Sequence, residues 1–529
     1  MSSRPTPDPR RRWPHRLALG ACLALYLTVS LRHLAVVPPV YEDEPWQAST
    51  GVKLAHTGVF GSDLFRGLWG SESRHYWFMP LHPLLLAATY RIAGFGLLQT
   101  RLEPVAMGVA TLLLTYGLGR RLFGPAVGVV AVAALLLVRT AGVTRSQVTG
   151  ILFVDLSRIA RYDAVVPVLG LAALHVYLSA DRRGDWRLHA AAGALAALAG
   201  LAHLYGAFWI VALGVLALWN RSGPRALAAL AAGFAVPWCA YLAYVLGDVG
   251  DWVAQTRGYA PRFGLADPLW YWHNLLAEPH RYGPGLGPFG PAWALRPGFW
   301  TAAALLPASL AALVRRALGG DRSARAVVVP AVALALLFAL LITSKVANYL
   351  LTVAPVAAVA AGWGIVCAWR WARARQMLAV RVALAAVCLA VGAEAGSREV
   401  ALEHAAARTT PYATFIARVR REIPPGSRVL GQHSFWFGLQ GFDFRSVDVP
   451  LLLSEARPDA PHRSAAEILD RIAPDVVLLD DRLRSYLDTA PASDPFPADF
   501  RSWMEHRHFA LAASVRDRTY GTMEVWCRR

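Results

Sequence analysis

The chain has 529 residues, 56% hydrophobic and only 17% charged, against roughly 25% charged in soluble domains. Its charges are clumped between long apolar runs, a pattern that excludes a soluble globular enzyme and marks a multi-spanning membrane protein. The formal net charge of +18 sits in short clusters (Arg10 to Arg12, Arg120-Arg121, Arg182-Arg183, Arg315-Arg316, Arg370 to Arg375). Because these flank apolar runs, the positive-inside rule accounts for them and no nucleic-acid partner is called for.

In chain order, Arg10 to Arg16 precede an apolar stretch over 17–37. That stretch is long enough to span, so a retained first helix is expected rather than a cleaved signal. Further spans are predicted at 102–119, 124–140, 163–180, 226–246, 298–318, 326–343, 349–369 and 377–395. The run from His189 to Trp219 is too long for one span and is interrupted at Ala202-His203-Leu204-Tyr205-Gly206, which predicts a tight pair of short helices. Residues 80–98 are apolar and helical, but counting them as a span would invert every later assignment. They are read as an interfacial or re-entrant helix. The expected total is about 11 spans, within about 10 to 13.

The arginine clusters orient the chain with its N-terminus in the cytoplasm. The segments near Asp163, His203, 248–296 and Lys345 then face outward, as does everything after Gly396. From about Ser397 the sequence turns polar. Pro-Pro-Gly stands at 424–426, strand-like runs at Arg428-Val429-Leu430 and Asp475 to Leu479, and a helical pattern at Ala465 to Ile472. The expected fold class is an all-α polytopic membrane domain over 1–395 with an extracytoplasmic α/β domain over 396–529. No Gly-rich phosphate loop opens a helix there, so no nucleotide site is expected. The five cysteines (Cys22, Cys239, Cys367, Cys388, Cys527) form no CxxC pair, which argues against a disulfide framework or a zinc site.

Four elements carry candidate chemistry. The first outer loop reads Tyr41-Glu42-Asp43-Glu44-Pro45-Trp46. Three adjacent carboxylates repel one another, which raises the pKa of at least one and suits a general base. The same residues also suit a helix N-terminus, with acids at the positive end of the dipole. His82 stands before Pro83 at the head of the 80–98 helix. Asp163 enters an apolar helix five residues after Arg158, with Arg161 between them; a carboxylate there needs a partner or a function. Lys345, one of two lysines among 53 basic residues, lies between two apolar runs. There it can neutralise a phosphate or merely snorkel to the interface. The loop 247–297 adds Trp252, Tyr259, Trp270, Trp272, Tyr282 and Trp293, which suit sugar stacking or an interfacial belt. In the same loop, Arg257, Arg262, His280 and Arg281 are placed to approach a phosphate.

These elements together resemble a known superfamily. Asp43-Glu44 followed by Ala48, Leu54 and Gly58 is similar to the first external loop of the lipid-phosphate-sugar-dependent membrane glycosyltransferases. That group contains the protein O-mannosyltransferases and the lipid A aminoarabinose transferases. Leu81-His82-Pro83-Leu84 matches their His-Pro-Pro step only in part, with one proline. Ser157-Arg158 with Asp163 follows their Ser-Arg…Asp signature, and Lys345 to Tyr349 before Pro355 and Gly362 follows their Lys…Tyr step. The resemblance implies a GT-C-type fold and a polyprenyl-phosphate-linked sugar as donor. It implies a lipid, glycan or protein acceptor and inversion by single displacement. It places catalysis at Asp43 with Glu44, and substrate binding at His82, Arg158, Arg161, Asp163, Lys345 and Tyr349. It assigns no cofactor and leaves a divalent metal open. The alternative from another class is a transporter or flippase of lipid-linked saccharides, although no inverted repeat is evident.

Overall fold

The computed structural model describes residues 13–139, 146–281, 297–455 and 464–529. The cluster Arg10 to Arg12 and the loop aromatics Tyr282 and Trp293 lie outside them. The chain is mostly helical and closes with a five-stranded sheet. It forms two compact units, one of 1–32, 104–247 and 258–402, the other of 33–103, 248–257 and 403–529.

The chain opens with α1 (Trp13–Leu31), α2 (Asp43–Thr57), α3 (Leu81–Ala93) and α4 (Leu97–Phe123). The first unit is a bundle of apolar helices. Among the described residues, six stretches are long and apolar enough to cross a membrane: Pro14–Leu31, Leu97–Phe123, Tyr162–Arg183, Pro224–Leu246, Arg322–Leu341 and Leu378–Arg421. The expected count of about 11 exceeds this, because several apolar runs fold as shorter helices such as Pro125–Leu137, whose 13 residues rise only about 20 Å. The long run around His203 is the expected pair, Trp186–Ala202 and Phe208–Asn220, parted by a 3₁₀ turn at Leu204–Ala207. Helix Trp186–Ala202 packs on Pro224–Leu246 with backbones in contact. A Cβ on Gly193 would strike the Leu230 carbonyl, and one on Gly233 the Ala190 carbonyl. Small residues at a membrane crossing permit that approach.

The second unit is built on the sheet. Strands β1 (Arg428–Gly431), β2 (Asp443–Ser446), β3 (Val476–Leu479), β4 (Phe509–Asp517) and β5 (Gly521–Arg528) lie in the order β2-β1-β3-β5-β4. The first three run parallel, and β5 and β4 are antiparallel to their neighbours. Expected strands coincide with β1 and β3, and the expected helix with Ala465–Ile472. The β4–β5 hairpin was not foreseen, since β4 alternates around partly exposed positions and lacks a continuous apolar run.

The boundary at 396 is not the one the packing draws. Ala48, Leu64, Phe65, Leu86 and Tyr90 share one hydrophobic core with Phe415, Val429, Phe435, Leu478 and Val525. The first outer loop and α3 therefore fold with the sheet, because the apolar faces of α2 and α3 are covered by it. Helix α3, at 13 residues, rises about 20 Å and is too short to cross a bilayer core of about 30 Å. That agrees with a helix that does not span.

Candidate active site

In the second unit the three acids of the first loop meet three different environments. Glu42 is exposed and ion-paired with Arg482. Asp43, the first residue of α2, is half-buried. Glu44 is fully buried, and both its oxygens accept from Arg101: Nε at 2.8 Å and Nη2 at 2.7 Å. The Tyr41 backbone N–H also donates to Glu44, at 2.8 Å. Arg101 spends its remaining donors on the carbonyls of Leu34 and Pro38, each at 2.8 Å, and of Pro39 at 3.3 Å. One guanidinium thus pins the whole entry from Leu34 to Glu44. Mutual repulsion within the trio is relieved by these separate cations.

His82, expected to bind substrate, is fully buried at the head of α3, which packs on α2. Its Nδ1 lies 3.1 Å from Gln47 Oε1, and its Nε2 lies 3.4 Å from the buried Glu103. Asp43 and His82 therefore stand on two helices of one packed pair. Neither Arg101 nor Glu103 is among the candidates read from the sequence, although the predicted span 102–119 begins between them. An Arg and a Glu opening an apolar helix are themselves the signal that would have found them.

In the first unit the expected residues gather in two groups. Arg161 Nε donates to Asp163 Oδ2 at 2.6 Å with both side chains 5% exposed, so the intramembrane carboxylate has its cation two residues away. Tyr162 stacks on His203 at 4.3 Å, and His203 stands 5.5 Å from the Tyr349 ring. Burial pushes His203 down to about 4, which keeps it neutral at physiological pH. Tyr349 stacks in turn on Phe338 at 6.0 Å.

Beside Phe338 lies the second group. Lys345 Nζ is 3.0 Å from Glu278 and donates to the Ala339 carbonyl at 2.7 Å. Arg281, fully buried, grips the same carboxylate at 2.6 and 3.1 Å and donates to the Phe338 carbonyl. Burial lowers the Lys345 ammonium from its ordinary range, against the pull of Glu278. Two cations thus share one carboxylate. The chain Tyr162–His203–Tyr349–Phe338 links this group to Arg161 and Asp163. Glu278 was not singled out in the sequence, although an acid three residues before Arg281 in a helical turn is a recognisable pairing. Arg158 is placed apart from both groups. It donates to the carbonyls of Val29 at 2.5 Å, Ser30 at 2.9 Å and Arg32 at 2.8 Å, closing the C-terminal end of α1.

Among the described residues no group of three or more His, Cys, Asp or Glu side chains is placed to hold a metal ion, so these side chains by themselves make no metal centre.

The family model for dolichyl-phosphate-mannose-protein mannosyltransferases matches residues 79–245, the stretch that contains α3, α4, Arg158 and Asp163. No curated protein sequence matches the chain. ArnT from Cupriavidus metallidurans bound to undecaprenyl phosphate has a similar fold, with a TM-score of 0.60 at 16% identity over 98% of each chain. Its apo form gives 0.58 at 15% identity over 99% of each. The oligosaccharyltransferase of Archaeoglobus fulgidus gives 0.58 at 13% identity, covering 98% of this chain and 75% of that one. The match to that family model over 79–245 thus lies inside a fold that is similar to these solved structures along nearly the whole chain.

Proposed function

We propose that this protein moves a sugar from a polyprenyl-phosphate donor to an acceptor hydroxyl on the outer face of the membrane, with inversion. The observation that carries this reading is the pair of buried cations, Lys345 and Arg281, on the single carboxylate of Glu278. Among the described residues that arrangement carries one positive charge in excess of its carboxylate, and an anion completes it. Undecaprenyl phosphate, bound in the ArnT structure, is an anion of that kind.

Asp43 accepts the acceptor's proton as the hydroxyl oxygen attacks the anomeric carbon. The bond from that carbon to the lipid phosphate breaks on the opposite face, and the phosphate leaves with the electron pair. Lys345 offsets the charge that grows on it, as a point charge needing no planar fork. Glu44 and Arg101 hold the loop that presents Asp43 and do not touch the reacting atoms. Arg161, Asp163 and Tyr349 shape the donor side around His203, His82 orients α2 through Gln47, and Arg158 anchors α1.

Two measurements test this reading. Lys345→Ala weakens binding of undecaprenyl phosphate to the purified protein by on the order of 10- to 100-fold, and Lys345→Arg by less, because charge matters more than geometry at such a contact. Arg281 still satisfies Glu278 in the alanine variant, so the fold survives. Equal binding by Lys345→Ala and the parent protein would remove Lys345 from the site. The second concerns orientation: a reporter fused after Ser397 is active outside the cell, and cytoplasmic activity would put the acidic loop on the wrong side for this chemistry.

A further inference from the structure

In the second unit the helix Tyr412–Arg421 ends on three arginines that the fold treats differently. Arg418 is ion-paired with Asp517. Arg420 and Arg421 are exposed, and among the described residues neither has a carboxylate or a hydrogen-bond partner. Both line a cavity of about 490 Å³. Ala417, three and four residues before them on the same helix face, presents only a methyl group to that cavity and leaves the two guanidinium groups room.

The walls set the position of Arg420 without a counter-charge. A Cβ on Gly441 would lie 2.9 Å from Arg420 Nη2, so the missing side chain lets the guanidinium lie against the backbone there. Its Cζ stands 5.7 Å from the centroid of the Phe442 ring, a cation–π contact that leaves the N–H donors unspent. Beyond the helix the chain turns at Gly426, whose φ of 76° suits glycine, and the Ser427 hydroxyl closes the turn on the Pro424 carbonyl at 2.7 Å. Ile423 and Pro425 add apolar surface to the lining. No carboxylate belongs to it. Glu422 does not line the cavity, and Asp443, next to Phe442, is held outside it by Arg445 at 3.0 and 3.2 Å.

The lining thus carries two positive charges, planar N–H forks and an apolar floor. Guanidinium forks match the oxygens of phosphates and carboxylates alike. Charge separates the two: a carboxylate brings one negative charge, whereas a phosphate monoester brings roughly 1.5 to 2 at pH 7. The monoester is the counterpart of two arginines. The volume falls within the roughly 300–1,000 Å³ of small-molecule sites, which leaves space for an organic group on the phosphate.

We propose that this cavity binds a phosphate monoester, with Arg420 and Arg421 on the phosphate oxygens and the organic part against Phe442 and Ile423. None of these residues enters the transfer chemistry proposed above, so the site does not depend on it. A soluble ester and a lipid headgroup present the same phosphate, and the probes separate them.

The test uses full-length protein in phosphatidylcholine nanodiscs. The rate at which phenylglyoxal, an arginine reagent, modifies each arginine is read by peptide mass spectrometry. Because the readout is residue by residue, phosphate bound near Lys345 does not enter it. Phenyl phosphate is expected to slow modification of Arg420 and Arg421 by about tenfold or more, and to leave exposed Arg471 unchanged. Benzoate, with the same ring and a single charge, protects them less. Protection that appears only in nanodiscs containing phosphatidic acid assigns the phosphate to a lipid headgroup; protection by phenyl phosphate without that lipid assigns it to a soluble ester. In Arg421→Gln, an exposed substitution that spares the fold, protection of Arg420 falls because the dianion has lost one of its two cations. No protection by phenyl phosphate or phosphatidic acid, equal slowing at Arg471, equal protection by benzoate, or undiminished protection of Arg420 in Arg421→Gln overturns the proposal.

Discussion

Asp43→Asn is expected to leave expression, thermal stability and donor binding at parent levels and to lower turnover by roughly 10²–10⁴-fold, the usual contribution of a general base. The substitution keeps the shape of the side chain and removes its capacity to take a proton. The neighbours supply internal controls. Glu42→Gln gives up only an exposed pair with Arg482, which is worth about 0–1 kcal/mol, so its turnover stays close to that of the parent. The measurement is glycosyl transfer in liposomes beside a melting curve for each variant. Full turnover in Asp43→Asn, or a loss that merely follows lost stability, would sink the assignment of the base.

The largest effect on stability is expected at Glu44. Its carboxylate and the Arg101 guanidinium are both fully buried, and Arg101 also holds the carbonyls of Leu34, Pro38 and Pro39. Glu44→Ala leaves that guanidinium buried without a counter-charge, at a cost of about 3–5 kcal/mol. Glu44→Gln keeps one acceptor and lies between. Turnover in both falls with the folded fraction, since the loop carrying Asp43 loses its anchor. The paired variant Glu44→Gln/Arg101→Met removes both charges and recovers part of the stability, because replacing a buried pair is far less costly than breaking it. Denaturation midpoints of the single and double variants decide the matter. A mild Glu44→Ala, within about 1 kcal/mol of the parent, would show that the pair does not anchor the loop.

How much of this was legible beforehand varied with the range of the interaction. The helix pair broken at His203 and strand β3 could be read directly, since each is a local pattern of apolar residues and breakers. The pairing of Arg161 with Asp163 was legible too, being two residues apart. The shared carboxylate of Lys345 and Arg281 was half-visible: the cations were noted, but Glu278 lies 67 positions from Lys345 and no spacing rule joins them. Strands β4 and β5 escaped because their outward positions dilute the apolar signal.

By itself the sequence determined that this is a helical membrane protein with a polar α/β tail, and it supplied the acidic loop, the Ser-Arg…Asp step and Lys345 as sites of interest. Those properties follow from hydrophobic length, charge placement and neighbours along the chain. Only the tertiary structure decided what surrounds each of three adjacent acids. Glu42 meets Arg482, 440 positions away, and Glu44 meets Arg101, 57 positions away, while Asp43 remains at the head of α2. It likewise decided that the first outer loop shares its core with the C-terminal sheet. The physical reason is the same in both cases. A charge or an apolar face selects its partner by distance and burial in space, and chain separation carries no record of either.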